Sequence, residues 1–428
     1  MAYATFADLP PEMVGNVFAF IRSKSHQSSV CLVSRTWRDQ IRPIMWEKIE
    51  TDFRDASAPS LATLLHPQSG ITGHIRELDI CESAKTTDGD YRAILVITAI
   101  PRDRLRRFES TCKVSALTFQ VLLQSQRRIE DIDIGGSFST PDQPTHESLN
   151  LSNLKGLHIE WCIDQIPLLE GISSFYTHNA GQLEELIIAL PTRMENPKHT
   201  VQAIDTLLKT CPKLTYLQLD LSVHGLVARD SVLVHCKTLT ELMMESGMTE
   251  GGNYFPIADI TAILKACTKL TALAIDMPTL ELGCISDPPD GFSLDEDYAH
   301  VLAAVATQPV LKAFRILSLP VLEFDDPSSE RPTGRDTLFC QVVMQNLANQ
   351  ILRFATDRGS KLKVLSIKPS LEPVDLNSGR DTNGHKWPEY HYIRGRVSDI
   401  TSTDVVVAHP SKSVILDFPD LEPLLHYI

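Results

Sequence analysis

A chain of 428 residues can bury a large core, and its net charge of −14, from 54 acidic and 40 basic side chains, argues against nucleic acid or an anionic membrane as a primary partner. No run of about 18 apolar residues offers a spanning helix, and no basic stretch followed by an apolar one opens the chain as a signal peptide would. The nine cysteines are an odd number and scattered, so a reducing compartment, cytoplasmic and/or nuclear, is expected.

In chain order, the first predicted element is a helical cassette between Leu9 and Trp46. Pro10 and Pro11 fit a first helical turn, where N–H groups lack intrahelical partners. Glu12 follows at the positive end of the helix dipole. Met13, Val17 and Phe20 recur at i, i+4 and i+7, and Val14, Phe18 and Ile21 trace an adjacent stripe. Two stripes make too wide an apolar face for a helix covered on one side only. Arg22–Gln27 reads as a polar break, Val30, Val33, Trp37 and Ile41 return to helical spacing, and Pro43 is expected to end that helix. About 40 residues seldom hold a self-sufficient core, so the cassette is expected to pack on a partner, on the rest of the chain, or on both.

These residues resemble an F-box, the three-helix motif that docks on the Skp adaptor of cullin–RING ubiquitin ligases. The resemblance covers roughly residues 8–50 and rests on Leu9-Pro10, Glu12, Val17, Ile21, Leu32-Val33-Ser34-Arg35, Trp37-Arg38 and Trp46. It implies adaptor contacts at Leu9, Pro10, Glu12, Val17, Ile21, Leu32, Val33 and Trp37. The sequence departs from the family at His26-Gln27, where a leucine is usual, and the spacing to Val33 is about one residue long.

After a connecting segment, 51–70, a pattern of apolar-x-x-apolar-x-apolar recurs ten times. Its instances begin at Ile75, Leu105, Ile129, Leu154, Leu183, Leu214, Leu239, Leu270, Leu311 and Leu362. Each unit ends in period-2 alternation, which reads as a short strand. Helices are predicted between them at Tyr91–Ile100, Ala116–Ser125, Val201–Thr210, Ile257–Cys267, Asp297–Thr307 and Thr337–Asp357. One strand and one helix per unit, stacked in parallel, predict an α/β solenoid over 71–370, since no unit buries its apolar face alone. The array resembles the leucine-rich repeats of F-box proteins, with irregular curvature because the asparagine slot holds Cys162 in one repeat and other residue types elsewhere. Cys211, Cys236 and Cys267 each stand three residues before a strand motif, at the repeat period, and read as small buried hydrophobes rather than zinc ligands.

Residues alternating with the buried ones on each strand are expected on the concave face. These are mostly acidic at first, with Glu77, Asp79, Arg107, Glu109, Asp131 and Asp133, and bland later, with Ala272, Ala274, Ala313 and Arg315. Aromatic and methionine anchors among charges mark protein interfaces, so His158, Trp161, Tyr216 and Met243 are the expected substrate surface. The acidic strands favour a basic partner segment. Two Pro-, Asp- and Ser-rich insertions, 278–296 and 320–336, read as long loops. Residues 371–428 are expected to cap the last repeat, with short strands at Val405–Val407 and Val414–Phe418. His385 and His391, six apart with no cysteine nearby, are a poor metal signal.

No nucleotide, hydrolase or metalloprotease fingerprint is present, so neither catalysis nor a cofactor is expected. The family resemblance implies a substrate-recognition subunit of a cullin–RING ligase, docking on a Skp-type adaptor and cullin scaffold and holding a protein substrate. The alternative is a leucine-rich-repeat interaction scaffold outside any ligase.

Overall fold

The structure is a computed structural model that describes residues 9–52, 59–81, 88–111, 114–139, 150–163, 165–191, 194, 196–221, 224–245, 255–278, 280–282, 296–318, 321–322, 334–367, 391–398, 402, 404–411 and 413–421. Most of both predicted insertions, the stretch 371–390 with His385, and 422–428 lie outside the described residues. The fold is α/β with mostly parallel strands. It divides into two compact units, residues 1–187 with 210–212, and residues 188–209 with 213–428. No helix among the described residues is long and apolar enough to cross a membrane.

The first unit opens with three helices, α1 (Pro11–Ala19), α2 (Lys24–Cys31) and α3 (Arg35–Met45). The Pro10 carbonyl accepts from both Met13 and Val14 N–H at the start of α1. The Ser34 hydroxyl caps α3 by accepting from Trp37 N–H at 3.1 Å. The expected polar break is shorter than read: helix resumes at Lys24. Within α2, Gln27 ties back to the chain after α1, its buried amide Nε2 donating to the Ile21 carbonyl at 2.7 Å. Pro43 also does not end its helix. It sits in the last turn, where only one backbone donor is lost, and Trp46 N–H still reaches the Arg42 carbonyl.

The strands of this unit are β1 (Lys48–Asp52), β2 (Glu77–Cys81), β3 (Arg107–Ser110), β4 (Val114–Ser115), β5 (Asp131–Ser139), β6 (Gly156–Ile163) and β7 (Glu185–Ala189), the last crossing the division between the units. They run in the order β1-β2-β3-β5-β6-β7, with β4 beside β5. Helices α4 (Pro59–Leu65), α5 (Asp88–Ala99), α6 (Ala116–Ser125) and α7 (Ile166–His178) alternate with them. Register is in step, with Glu77, Arg107, Asp131 and Gly156 side by side across β2, β3, β5 and β6. One strand face supplies Leu78, Ile80, Phe108, Ile132, Leu157 and Ile159 to the core, and the helices supply Val96, Phe119 and Leu122. Strand β1 fits the repeat pattern only partly, because Trp46-x-x-Ile49 is followed by Thr51 in the third apolar slot.

The second unit holds α8 (Pro197–Thr210), β8 (Tyr216–Asp220), α9 (Arg229–Leu233), β9 (Glu241–Glu245), α10 (Ile257–Ala266), β10 (Ala272–Ile275), β11 (Glu281–Leu282), α11 (Glu296–Ala306), β12 (Ala313–Ile316), β13 (Val321–Leu322), α12 (Gly334–Asp357) and β14 (Val364–Ile367). Strands β8, β9, β10, β12 and β14 are parallel, and β11 pairs separately with β13. Two antiparallel strands, β15 (His391–Ser398) and β16 (Asp404–Pro410), then continue the sheet from β14. Val414–Phe418, expected as a strand, is instead helix α13 (Val414–Asp417) followed by a 3-10 turn (Pro419–Leu421). Its β-branched start invites a strand reading, but Val414, Phe418 and Leu421 fall at i, i+4 and i+7 and share one packed face.

Every strand motif read from sequence carries a strand that starts two residues after its first apolar position. In place of an asparagine ladder, polar side chains at the ends of helices bind the neighbouring backbone. Gln126 Oε1 accepts from Arg104 and Leu105 N–H, both at 3.0 Å. Buried His235 does the same in the second unit, its Nε2 donating to the Leu208 carbonyl and its Nδ1 accepting from Leu214 N–H. That pair of bonds requires the neutral ring, and burial lowers the pKa of His235. His235→Leu should therefore cost about 1–3 kcal/mol in urea denaturation, because it leaves a buried carbonyl and N–H unpaired. His235→Gln should retain most of that stability. Because the folded pKa is lowered, the unfolded chain takes up the proton first, so wild-type stability falls as pH drops below 6.5. The glutamine variant should lose less over that range, and equal acid sensitivity in the two chains would contradict this account.

Candidate protein-interaction surfaces

The cassette has its own small core. Val14, Phe18 and Ile41 are buried, with Leu9, Ile21, Val30, Cys31, Trp37 and Ile44 packed around them. The Phe18 and Trp37 rings meet edge to face at 5.5 Å. The Met13, Val17 and Phe20 stripe of α1 faces outward. Phe20 is 86% exposed and Leu32 83%, with Met13, Val17 and Val33 also exposed. Exposed side chains of this size, concentrated on one small cassette, mark an interaction surface.

Of the residues expected at an adaptor contact, Val17, Leu32 and Val33 are exposed apolar groups, and Pro10 and Glu12 are also exposed. Leu9, Ile21 and Trp37 are partly buried and belong to the cassette core instead. Met13 and Phe20 join the exposed set. Their signal was present in the sequence, since only one of two adjacent apolar stripes could turn inward.

A second surface lies on the sheet face of the first unit opposite the helices. Glu50, Asp79, Glu109, Asp133 and His158 stand in one register row across β1, β2, β3, β5 and β6. Parallel neighbours are about 4.8 Å apart, so four carboxylates are stacked at close range. Burial and the charges of Asp79 and Asp133 push the Glu109 carboxyl up, against the opposing pull of Arg107 and Lys48. His158 ends the row, its Nε2 3.1 Å from Glu185 and its Nδ1 3.5 Å from Asp133. Burial alone would lower its pKa, but the hydrogen bonds and charges of these two carboxylates outweigh it and hold the ring at about 9. His158 is thus a cation clamped between two acids.

Trp161 lies inside β6. Between Gly135 and Ser137 on β5, β6 carries one extra residue, a bulge. Trp161 occupies it with φ of 56° and is 48% exposed. Left-handed backbone is costly for a side chain with a Cβ, so strain and exposure coincide at this ring.

Tyr216 and Met243 belong to the second unit. Tyr216 is partly buried and donates its hydroxyl to Gln218 Oε1 at 2.8 Å. Met243 is only 2% exposed, packed against Val414, Leu421 and the alanines of β10 and β12. Its expected place on an open substrate surface is corrected: residues 414–421 cover it, and the sequence pattern of β9 could not reveal a cover that comes from so far along the chain.

Cys211 and Cys267 are buried and Cys236 partly so. Burial pushes the Cys211 and Cys267 thiols up to about 12. Glu50, Asp79 and Cys81 bring two carboxylates and a thiol within 4.8 Å, a grouping not read from sequence. Burial, then the hydrogen bond to Asp79 and the nearby carboxylate charges, raise the Cys81 thiol to about 11, so it serves as a donor to Asp79. No protein-family model and no curated protein matches the sequence.

Two outcomes follow. Because the His158 pKa is raised in the fold, its contribution is complete below pH 6.5 and is lost as pH rises through about 9. Thermal unfolding of wild type and His158→Gln should differ by on the order of 2 kcal/mol at pH 6 and converge by pH 9.5, and a constant gap would refute the clamp. At the bulge, Trp161→Val should be less stable than Trp161→Gly by about 1–2 kcal/mol in the same assay, since glycine alone accepts that backbone freely.

Proposed function

We propose that this chain is a substrate-recognition subunit of a cullin–RING (SCF-type) ubiquitin ligase, docking through its N-terminal helices on a Skp-type adaptor and presenting a protein substrate on its repeats. The observation that carries this reading is the cassette itself, a three-helix bundle with a closed core and a second apolar face left open at Met13, Val17, Phe20, Leu32 and Val33. Such a subunit makes no bonds; it raises the local concentration of substrate near a charged conjugating enzyme. The acidic row Glu50–Asp79–Glu109–Asp133 favours a basic substrate segment, since opposite potential steers encounter and disfavours acidic competitors. The buried Gln27 amide, standing near where the family has leucine, favours the second reading, a scaffold with no adaptor.

Pull-down with a Skp-type adaptor separates the two. The intact chain should capture it, and Phe20→Asp with Leu32→Asp should reduce capture at least tenfold while leaving the thermal transition in place, because both side chains are exposed. Absence of capture by the intact chain, or capture indifferent to both substitutions, would sink the ligase reading.

A further inference from the structure

The two units treat the same strand face differently. In the first it is charged, whereas in the second it stays polar on β8 at Tyr216 and Gln218 and turns small or apolar around Met243, Ala272, Ala274, Ala313 and Val364, with Arg315 beside Ala274 in register. Ala272, Ala274 and Ala313 are fully buried, in the same cluster as Met243 and Val364. Packed into that cluster, beside Leu317 and, from β15, Ile393, is the chain's own segment 413–421, through Val414, Ile415, Phe418 and Leu421. Three alanines make a shallow floor on which a helical turn approaches closely, and the segment seated there shows what fits.

The attachment is one-sided. Among the described residues, each hydrogen bond made by 413–421 stays within 411–421: Ser413 N–H to Ser411 Oγ, Ser413 Oγ to Asp417, and the turn bonds of α13 and the 3-10 turn. Apolar contact alone therefore holds the segment on the sheet, while Leu416, Asp417 and Asp420 face solvent. The strand before it is anchored independently. Ala408 bonds Gln345 and Asn349 of α12, and Arg353 donates to the Val406 carbonyl. Release of 413–421 would leave β15 and β16 bonded in place. Few polar contacts and a short apolar footprint define an element from the low-stability end of a fold.

We propose that the alanine-floored face of the second unit is a binding groove for a short amphipathic helix with apolar side chains at i, i+4 and i+7, and that residues 413–421 are its resident, displaceable occupant. The groove then opens only to a segment that outcompetes one already tethered beside it. This inference stands apart from the ligase reading, and the outcome of adaptor capture does not bear on it.

The test uses the full-length chain and a labelled synthetic peptide of residues 411–421. In a Val414→Asp, Phe418→Asp chain the cis occupant is disabled, and the peptide should bind saturably. The unmodified chain should bind at least about tenfold more weakly, because its own segment competes at high effective concentration. A peptide carrying the same two aspartates should not bind, and Ala274→Leu added to the variant chain should abolish binding by filling the floor. Hydrogen exchange on the unmodified chain gives a readout free of substitutions: amides of 414–421 should exchange well before those of β10 and β12, and excess peptide should accelerate them. Equal binding to both chains, no binding to a variant that keeps its thermal transition, or exchange of 414–421 only with global unfolding would each overturn the proposal. So would a variant that no longer folds, since the segment would then be core rather than occupant.

Discussion

The constraint on which the structure depends is a backbone ladder just ahead of each strand. In the first unit Arg106 N–H bonds the Arg76 carbonyl, Glu130 bonds Arg106, Lys155 bonds Glu130 and Glu184 bonds Lys155, at 2.7–2.8 Å. In the second, Thr240, Thr271, Lys312 and Lys363 N–H groups step in the same way onto Thr215, Thr240, Thr271 and Lys312. Each repeat thus takes its register from the one before, and a slip of one residue would exchange the two strand faces throughout. Gln126 and His235 serve the same end from the helix side, joining one repeat to its neighbour's backbone without a conserved side-chain type.

With register fixed, everything distinctive lies on the face the helices leave free. In the first unit that face stacks carboxylates and stays partly solvated, so its energy is electrostatic and its internal repulsion is relieved in part by the imidazolium of His158. In the second unit the face is polar at Gln218, Glu241 and Glu245 and apolar around Ala272, Ala274, Ala313 and Val364, where a segment of the same chain packs on it. One repeat pattern therefore supports two kinds of surface, one that screens charge and one that hides hydrocarbon. Arg315 is buried beside Ala274 in register and near the Glu245 carboxylate, and desolvation lowers its pKa.

The ten strands and most helices were legible in the sequence because their signal is local: an apolar triplet at fixed spacing and a 3.6-residue stripe. The cassette's two stripes were legible too, though not which would turn inward; that depended on Ile41 and Trp37 from another helix. What could not be read came from distant parts of the chain. Met243 looked like an anchor on its own strand, and only the return of Val414 and Leu421 buries it. The Trp161 bulge needed a mismatch between β5 and β6 that neither strand displays alone. Helix α7 was legible too, since Leu168, Leu169, Ile172, Phe175 and Tyr176 fall at helical spacing between polar residues such as Glu170 and Ser174, but it was not among the predicted helices.

The covered face also has a consequence for biosynthesis. Residues 413–421 emerge from the ribosome later than every strand they cover. Until they do, a nascent chain whose β9, β10, β12 and β14 have already paired carries a bare hydrocarbon floor. The interval between pairing and covering is when a chaperone, or another chain's apolar helix, meets that floor unopposed. Ribosome stalling in the region of residues 368–412 would prolong this exposure in a way that stalling within the first unit would not.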